Sequence, residues 1–147
     1  MRNLLCFILL VMLTGCNIAF DPVSLRNRTS DDAEVVVIRD LTCFSGQAGT
    51  AMDRWVVGLD GRNYGELLPG QYTLFSVPTD AAHSLEVKHW DVWWHEESVP
   101  VLFEPGNRYY YLAGVSDLFS TAISAISEEQ ARAWMAKSRY VQVNKPM

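Results

Sequence analysis

The chain has 147 residues, 49% of them apolar and 20% charged, which is too short for two ordinary domains and too apolar for a disordered one. Twelve basic residues against seventeen acidic ones leave a formal charge of -5. That balance offers no basic surface to collect phosphates and argues against nucleic acid as a partner.

The N-terminus carries one cation, Arg2, then an apolar run from Leu4 to Leu13, then Thr14, Gly15 and Cys16. The run is far short of the roughly 20 residues that a helix needs to span a bilayer, so it reads as the core of a signal peptide. Leu13-Thr14-Gly15-Cys16 resembles the lipobox of bacterial lipoproteins. The resemblance implies that the Cys16 thiol receives a diacylglycerol, that the peptide is cut before Cys16, and that the new amino group is acylated, with palmitate as a typical chain. Each buried methylene contributes ~0.8 kcal/mol to membrane binding, so two or three chains on Cys16 would make a durable anchor. Asn17, where an aspartate would mark inner-membrane retention in that family, points to the outer membrane, facing the periplasm. Cys6 leaves with the signal and Cys16 is a thioether on this reading, so Cys43 has no partner for an internal disulfide.

Residues 16-32 mix a few apolar positions with turn formers, among them Asp21-Pro22, Ser24, Asn27, Ser30, Asp31 and Asp32. They read as a flexible tether that holds a domain of residues 33-147 off the lipid. Glu34 to Leu41 is a β-branched run too short for a helix and is assigned to a strand. Trp55 to Leu59 leads into Asp60-Gly61, a pair suited to a tight hairpin, and Tyr64 to Leu68 returns. Tyr72 to Val77, His83 to Trp90, Val99 to Phe103 and Tyr109 to Leu112 follow, separated by Pro69-Gly70, Pro78 and Pro105-Gly106. Leu85 and Val87 alternate with Glu86 and Lys88, the mark of a half-buried strand. About seven short strands punctuated in this way predict a mainly β protein, a small antiparallel β-sandwich.

Ser127-Glu128-Glu129-Gln130 has the form of a capping box and predicts one C-terminal α-helix. Ala131, Trp134, Met135 and Ser138 share its apolar stripe, with Trp134 expected to pin it to the sheet, while Lys137 suits the negative end of its dipole.

These segments, AEVVVIRDL, WVVGLDGRNYGELLPGQYTLFSVP, HSLEVKHW and FEPGNRYYYL, together resemble the DUF2846 family of bacterial lipoproteins and, more distantly, PEGA-type β modules of bacterial surface proteins. The matching positions are Arg39, Asp60-Gly61, Gly65 with Leu67, Gly70 with Tyr72, Pro78, His83 with Leu85, and Gly106 with Tyr109 and Tyr110. The likeness covers about residues 33 to 114 and consists of turn glycines and core positions. The chain departs from the family in the longer connection before His83 and in the Trp-rich stretch after it. The resemblance implies a fold and a location in the cell envelope; it implies no reaction.

Lys88 to Glu97 holds two of the three histidines and three of the five tryptophans. Trp90, Trp93 and Trp94 could form an apolar patch for an envelope protein, a glycan face or the lipid interface, or fold back to plug the end of the sandwich. Were the stretch fully extended, His89, Asp91, Trp93 and His95 would share a face on which two imidazoles and a carboxylate could hold zinc; a hairpin inside the stretch would break that alignment. Glu96-Glu97 and Glu128-Glu129 are read as solvated pairs, because adjacent carboxylates on a strand face opposite ways. Gly58, Gly61 and Gly65 are read as turn glycines, Tyr109 to Tyr111 as core and sheet-edge filler, and Arg39 as the partner of an acid at a strand end. No nucleophile elbow, phosphate loop or His-Glu-x-x-His motif occurs. The sequence therefore points to a lipid-anchored binding or structural module with no catalytic residue, no cofactor and no metal. The alternative is a small metal-binding protein or envelope enzyme using His83, His89 or His95.

Overall fold

The computed structural model describes residues 31–41, 54–89, 97–117 and 120–141. In chain order these hold β1 (Ala33–Arg39), β2 (Trp55–Leu59), β3 (Arg62–Leu67), β4 (Gln71–Val77), β5 (Ala82–His89), β6 (Glu97–Leu102), β7 (Arg108–Asp117), β8 (Ser120–Ala125), α1 (Glu128–Met135) and β9 (Arg139–Tyr140). The strands form a five-stranded sheet ordered β8-β7-β1-β4-β9 and a four-stranded sheet ordered β3-β2-β5-β6. The protein is mainly β, a small sandwich with a single C-terminal helix among the described residues, as its strand runs and turn residues predict.

The two sheets meet through alternate residues of each strand. Ala33, Val35 and Val37 of β1, Val57 and Leu59 of β2, Phe75 and Val77 of β4, and Leu85 and Val87 of β5 form one buried cluster with Phe103, Tyr111 and Ile123. The opposite face of the five-stranded sheet is also covered. Val36, Ile38, Tyr72, Leu74 and Tyr110 pack there with Ala131 and Met135 of α1. A strand buried on both faces has no polar phase, which is why β1 reads as an unbroken apolar run. The capping box forms as predicted: Gln130 N–H donates to the Ser127 hydroxyl at 3.2 Å and Ser127 N–H to the Gln130 side chain at 3.0 Å. Ala131 and Met135 carry the helix's contact with the sheet, whereas Trp134 is only partly buried at its margin. Lys137 lies beyond the last turn, in which the basic residue is Arg132.

The pairing is mixed. β1 runs antiparallel to β4 but parallel to β7, with Val35 opposite Tyr109 and Val37 opposite Tyr111. β4 and β9 are likewise parallel. Two strands, β8 and β9, exceed the seven that residue patterns predict. β8 reads Ser-Thr-Ala-Ile-Ser-Ala, with little β-branched content, and pairs along β7 from Tyr111↔Ala125 to Asp117↔Ser120.

Asp60 and Gly61 form the predicted two-residue turn, with φ of 52° and 75° and Leu59 opposite Arg62. Those positive angles are what a type I′ hairpin requires. Gly58 and Gly65, by contrast, lie within β2 and β3, at an irregularity in their register. A Cβ on Gly58 would come within 3.0 Å of the Glu86 carboxylate, which crosses above it to accept the Gly61 N–H at 3.1 Å. Glu97 is not a solvated acid either: its carboxylate accepts the Ile123 N–H at 3.0 Å, satisfying an outward-facing donor of β8.

Candidate functional site

The sandwich has two chemically distinct ends. At the first, the described chain enters at Asp31 and Asp32: the Thr79 hydroxyl donates to Asp31 O at 3.2 Å and Gly106 N–H to Asp32 O at 3.2 Å. The Asp60-Gly61 turn and His83 lie at this end. At the second, Arg39 ends β1, Trp55 begins β2, and His89 pairs with Trp55 across β2 and β5. No helix of the described residues is long and apolar enough to cross a membrane.

Arg39 shares a phase with Val35 and Val37, so its side chain enters the inter-sheet layer, where the residue is fully buried. Its guanidinium stands 4.0 Å over the Trp55 ring and Nη1 donates to Leu67 O at 3.3 Å. A desolvated cation on an indole face contributes about 2 kcal/mol. These contacts place the guanidinium inside the fold, between an aromatic face and a carbonyl.

Cys16, Cys43, Trp90, Asp91, Trp93, Trp94 and His95 lie outside the described residues. The residues that flank the Trp-rich stretch, His89 and Glu97, stand at the Arg39 end. His83 and His89 share a face of β5 but are six residues apart, about 20 Å along a strand, so they cannot ligate one ion. Among the described residues no three His, Cys, Asp or Glu side chains form a metal-sized group.

His83 belongs to the first end. Its side chain is 9% exposed and stacks on Phe103, with ring centroids 5.9 Å apart. Nδ1 lies 2.7 Å from Asp60 Oδ2 and Nε2 lies 2.8 Å from Pro78 O. Asp60 is itself held by Ser84, whose N–H donates to Oδ1 at 2.8 Å. A carboxylate and a carbonyl are both acceptors, so both contacts are hydrogen bonds only when the ring carries two protons. Burial pushes the imidazolium toward losing a proton, but the bonds to Asp60 and Pro78 and the charges of Asp60 and Asp80 outweigh it and raise its pKa above 6.5. For Asp60, burial favours the neutral acid, yet the His83 contact, the Ser84 N–H and the charges of His83 and Arg62 hold its carboxyl below the usual range.

An imidazole with both nitrogens engaged has no lone pair for a metal or a proton in flight. In that doubly protonated state His83 serves neither as a metal ligand nor as a general base. Asp60 is the partner that residue patterns missed. It lies 23 positions from His83, and only the β2–β5 pairing, Leu59 opposite Leu85, brings the Asp-Gly turn against the start of β5.

On the covered sheet, Glu34 and Arg108 face each other across β1 and β7, with Arg108 donating from both Nε and Nη2 to Glu34 Oε2. The pair is nearly buried and both members are satisfied, a structural tie and not a reactive group. The hollow beside α1 is shallow, lined by Gln130, Ala133, Trp134 and Lys137, and lacks the enclosure of a small-molecule site.

No protein-family model matches the chain, and no curated protein matches it. The likeness to DUF2846 proteins therefore rests on the residues quoted above alone.

Proposed function

We infer that this protein is a lipid-anchored lipoprotein of the bacterial cell envelope, a binding or structural module related to the DUF2846 family, and not an enzyme. The observation that carries the reading is Leu13-Thr14-Gly15-Cys16 at the close of the apolar run, which makes Cys16 the acylated residue; Asn17 after it favours the outer membrane, on its periplasmic side, as the site of residence. Support for a binding role comes from the arrangement of the domain. The described chain enters the fold at Asp31 and Asp32, while His89 and Glu97, which flank Trp90, Trp93 and Trp94, stand at the other end. Residues 17–30 reach at most roughly 50 Å when fully extended, so a module anchored through Cys16 stays near the lipid and within reach of partners in the envelope. The partner proposed for Trp90, Trp93 and Trp94 is an envelope protein or a glycan.

Metabolic labelling with radioactive palmitate tests the anchor: the wild-type chain takes up label and partitions with membranes, and Cys16→Ala takes up none. An unlabelled wild-type protein that still begins at Met1 would overturn the reading. For the binding role, Trp93→Ala and Trp94→Ala reduce cross-linking to an envelope partner in native membranes without lowering the melting temperature; unchanged cross-linking would refute it.

A further inference from the structure

Three chain segments far apart in sequence converge on the His83 imidazole at the end where the chain enters. Asp60 of the β2–β3 turn takes Nδ1, Pro78 after β4 takes Nε2, and Phe103 after β6 lies against the ring. The residue after Pro78 is Thr79, and its hydroxyl is what holds the carbonyl of Asp31.

We propose that His83 is a proton-operated latch: its doubly protonated ring fastens the Pro78-Thr79 segment, and through Thr79 the entering chain at Asp31, and loss of one proton releases both. A neutral imidazole has one N–H and one lone pair. It keeps the N–H toward the Asp60 carboxylate, because a hydrogen bond to a charged acceptor is the stronger of the two. Nε2 is then bare and meets the Pro78 carbonyl lone pair to lone pair, so the connection between β4 and β5 loses its hold on the ring. Thr79 moves with Pro78, since they are adjacent, and its bond to Asp31 goes with it, so the release reaches the chain only as far as Asp32, which Gly106 N–H still holds.

The groups that face the latch from the packed elements are few. The β2–β3 hairpin supplies Asp60 and Arg62, and the β4–β5 connection supplies Asp80. From β6 and beyond come Phe103, which is apolar, and Glu104, whose carboxylate accepts the Asn107 side-chain amide at 2.9 Å. Asp31 contributes its carbonyl. Acids outnumber the single arginine, an environment that favours the cation. The latch does not depend on acylation of Cys16, so it stands or falls separately from the envelope reading.

Hydrogen–deuterium exchange of the full chain in detergent micelles, at about pH 6 and about pH 8.5 with labelling times scaled to intrinsic amide rates, reads the latch directly. Protection of the amides of residues 31–33 and 79–83 falls at the higher pH, about tenfold for each unit by which the ring's pKa in the closed state exceeds that in the released state. His83→Phe keeps the stack on Phe103 and removes both donors; it shows low protection at both pH values and no step. Thr79→Val leaves the step at 79–83 and abolishes it at 31–33. Asp60→Asn keeps a side chain that tolerates positive φ and moves the step to lower pH, which serves if His83→Phe does not fold. Equal scaled protection of the wild type at the two pH values, a step that survives in His83→Phe, or one that Asp60→Asn leaves in place would overturn the latch.

Discussion

β1 and β5 are neighbours in length and lie in the same sandwich, yet their sequences obey different rules. In β1 every residue from Val35 to Arg39 is buried, because one face meets the other sheet and the opposite face meets α1. In β5 only Leu85 and Val87 are buried, and Glu86 and Lys88 lie on the side without a covering helix. The difference teaches that the number of layers around a strand, more than its own propensity, sets whether its hydrophobicity alternates. It also ranks the interfaces. The inter-sheet layer holds residues of both sheets, whereas the helix layer is an addition to one of them.

Substitutions can break that ranking. Trp55→Ala removes the largest inter-sheet side chain of β2 and the ring beneath Arg39, and should cost about 3 to 5 kcal/mol in a denaturant titration. Met135→Ala empties only the helix layer and should cost about 2 kcal/mol, the low end for such truncations, with loss of helical signal at 222 nm; a cost equal to that of Trp55→Ala would show that the two layers are one cooperative core. Ser127→Ala removes the cap donor's acceptor and should cost about 1 kcal/mol, again confined to α1.

Stability against pH adds a contrast between the two ends of the sandwich, with an effect expected between that of the cap and that of a surface change. The raised pKa of His83 means that its contribution is complete below pH 6.5 and disappears as pH rises through the folded-state value. The lowered pKa of Asp60 means that its contribution is present above 3.8 and disappears as pH falls through its folded-state value. The two together give a stability maximum on the mildly acidic side, from about 4 to about 6.5, measurable as melting temperature across a buffer series; His83→Phe should remove the alkaline limb and leave the rest. Last, Leu102→Ser on the exposed face of β6, where Leu102 is 70% exposed, should change stability by less than about 0.5 kcal/mol. A larger loss would mean that this face is covered in the folded protein.

Much of this architecture was legible because its signals are local. The β-branched run of β1, the alternation of β5, the Asp60-Gly61 turn and the Ser127–Gln130 capping box each declare themselves within a few residues. β8 did not, since Ser, Thr and Ala dominate it and its strand conformation comes from the ladder offered by β7. Nor did the burial of Arg39: a charged residue closing an apolar run is a strand end, as it proves to be, and only the phase of β1 and the position of Trp55 place its side chain inside. Trp134 misled in the opposite sense. The heaviest residue of the helical stripe sits at the margin because Ala131 and Met135, one turn apart, bring the helix axis close to the sheet first.

The sequence alone determined the fold class, the Asp60-Gly61 turn and the capped helix, because each depends on neighbours along the chain. Tertiary structure decided the parallel pairing of β1 with β7, the burial of Arg39 on Trp55, and the meeting of His83 with Asp60 and Pro78. Those contacts join residues whose separation carries no local pattern, and they form only when two sheets have been stacked and their registers fixed by what each face must bury.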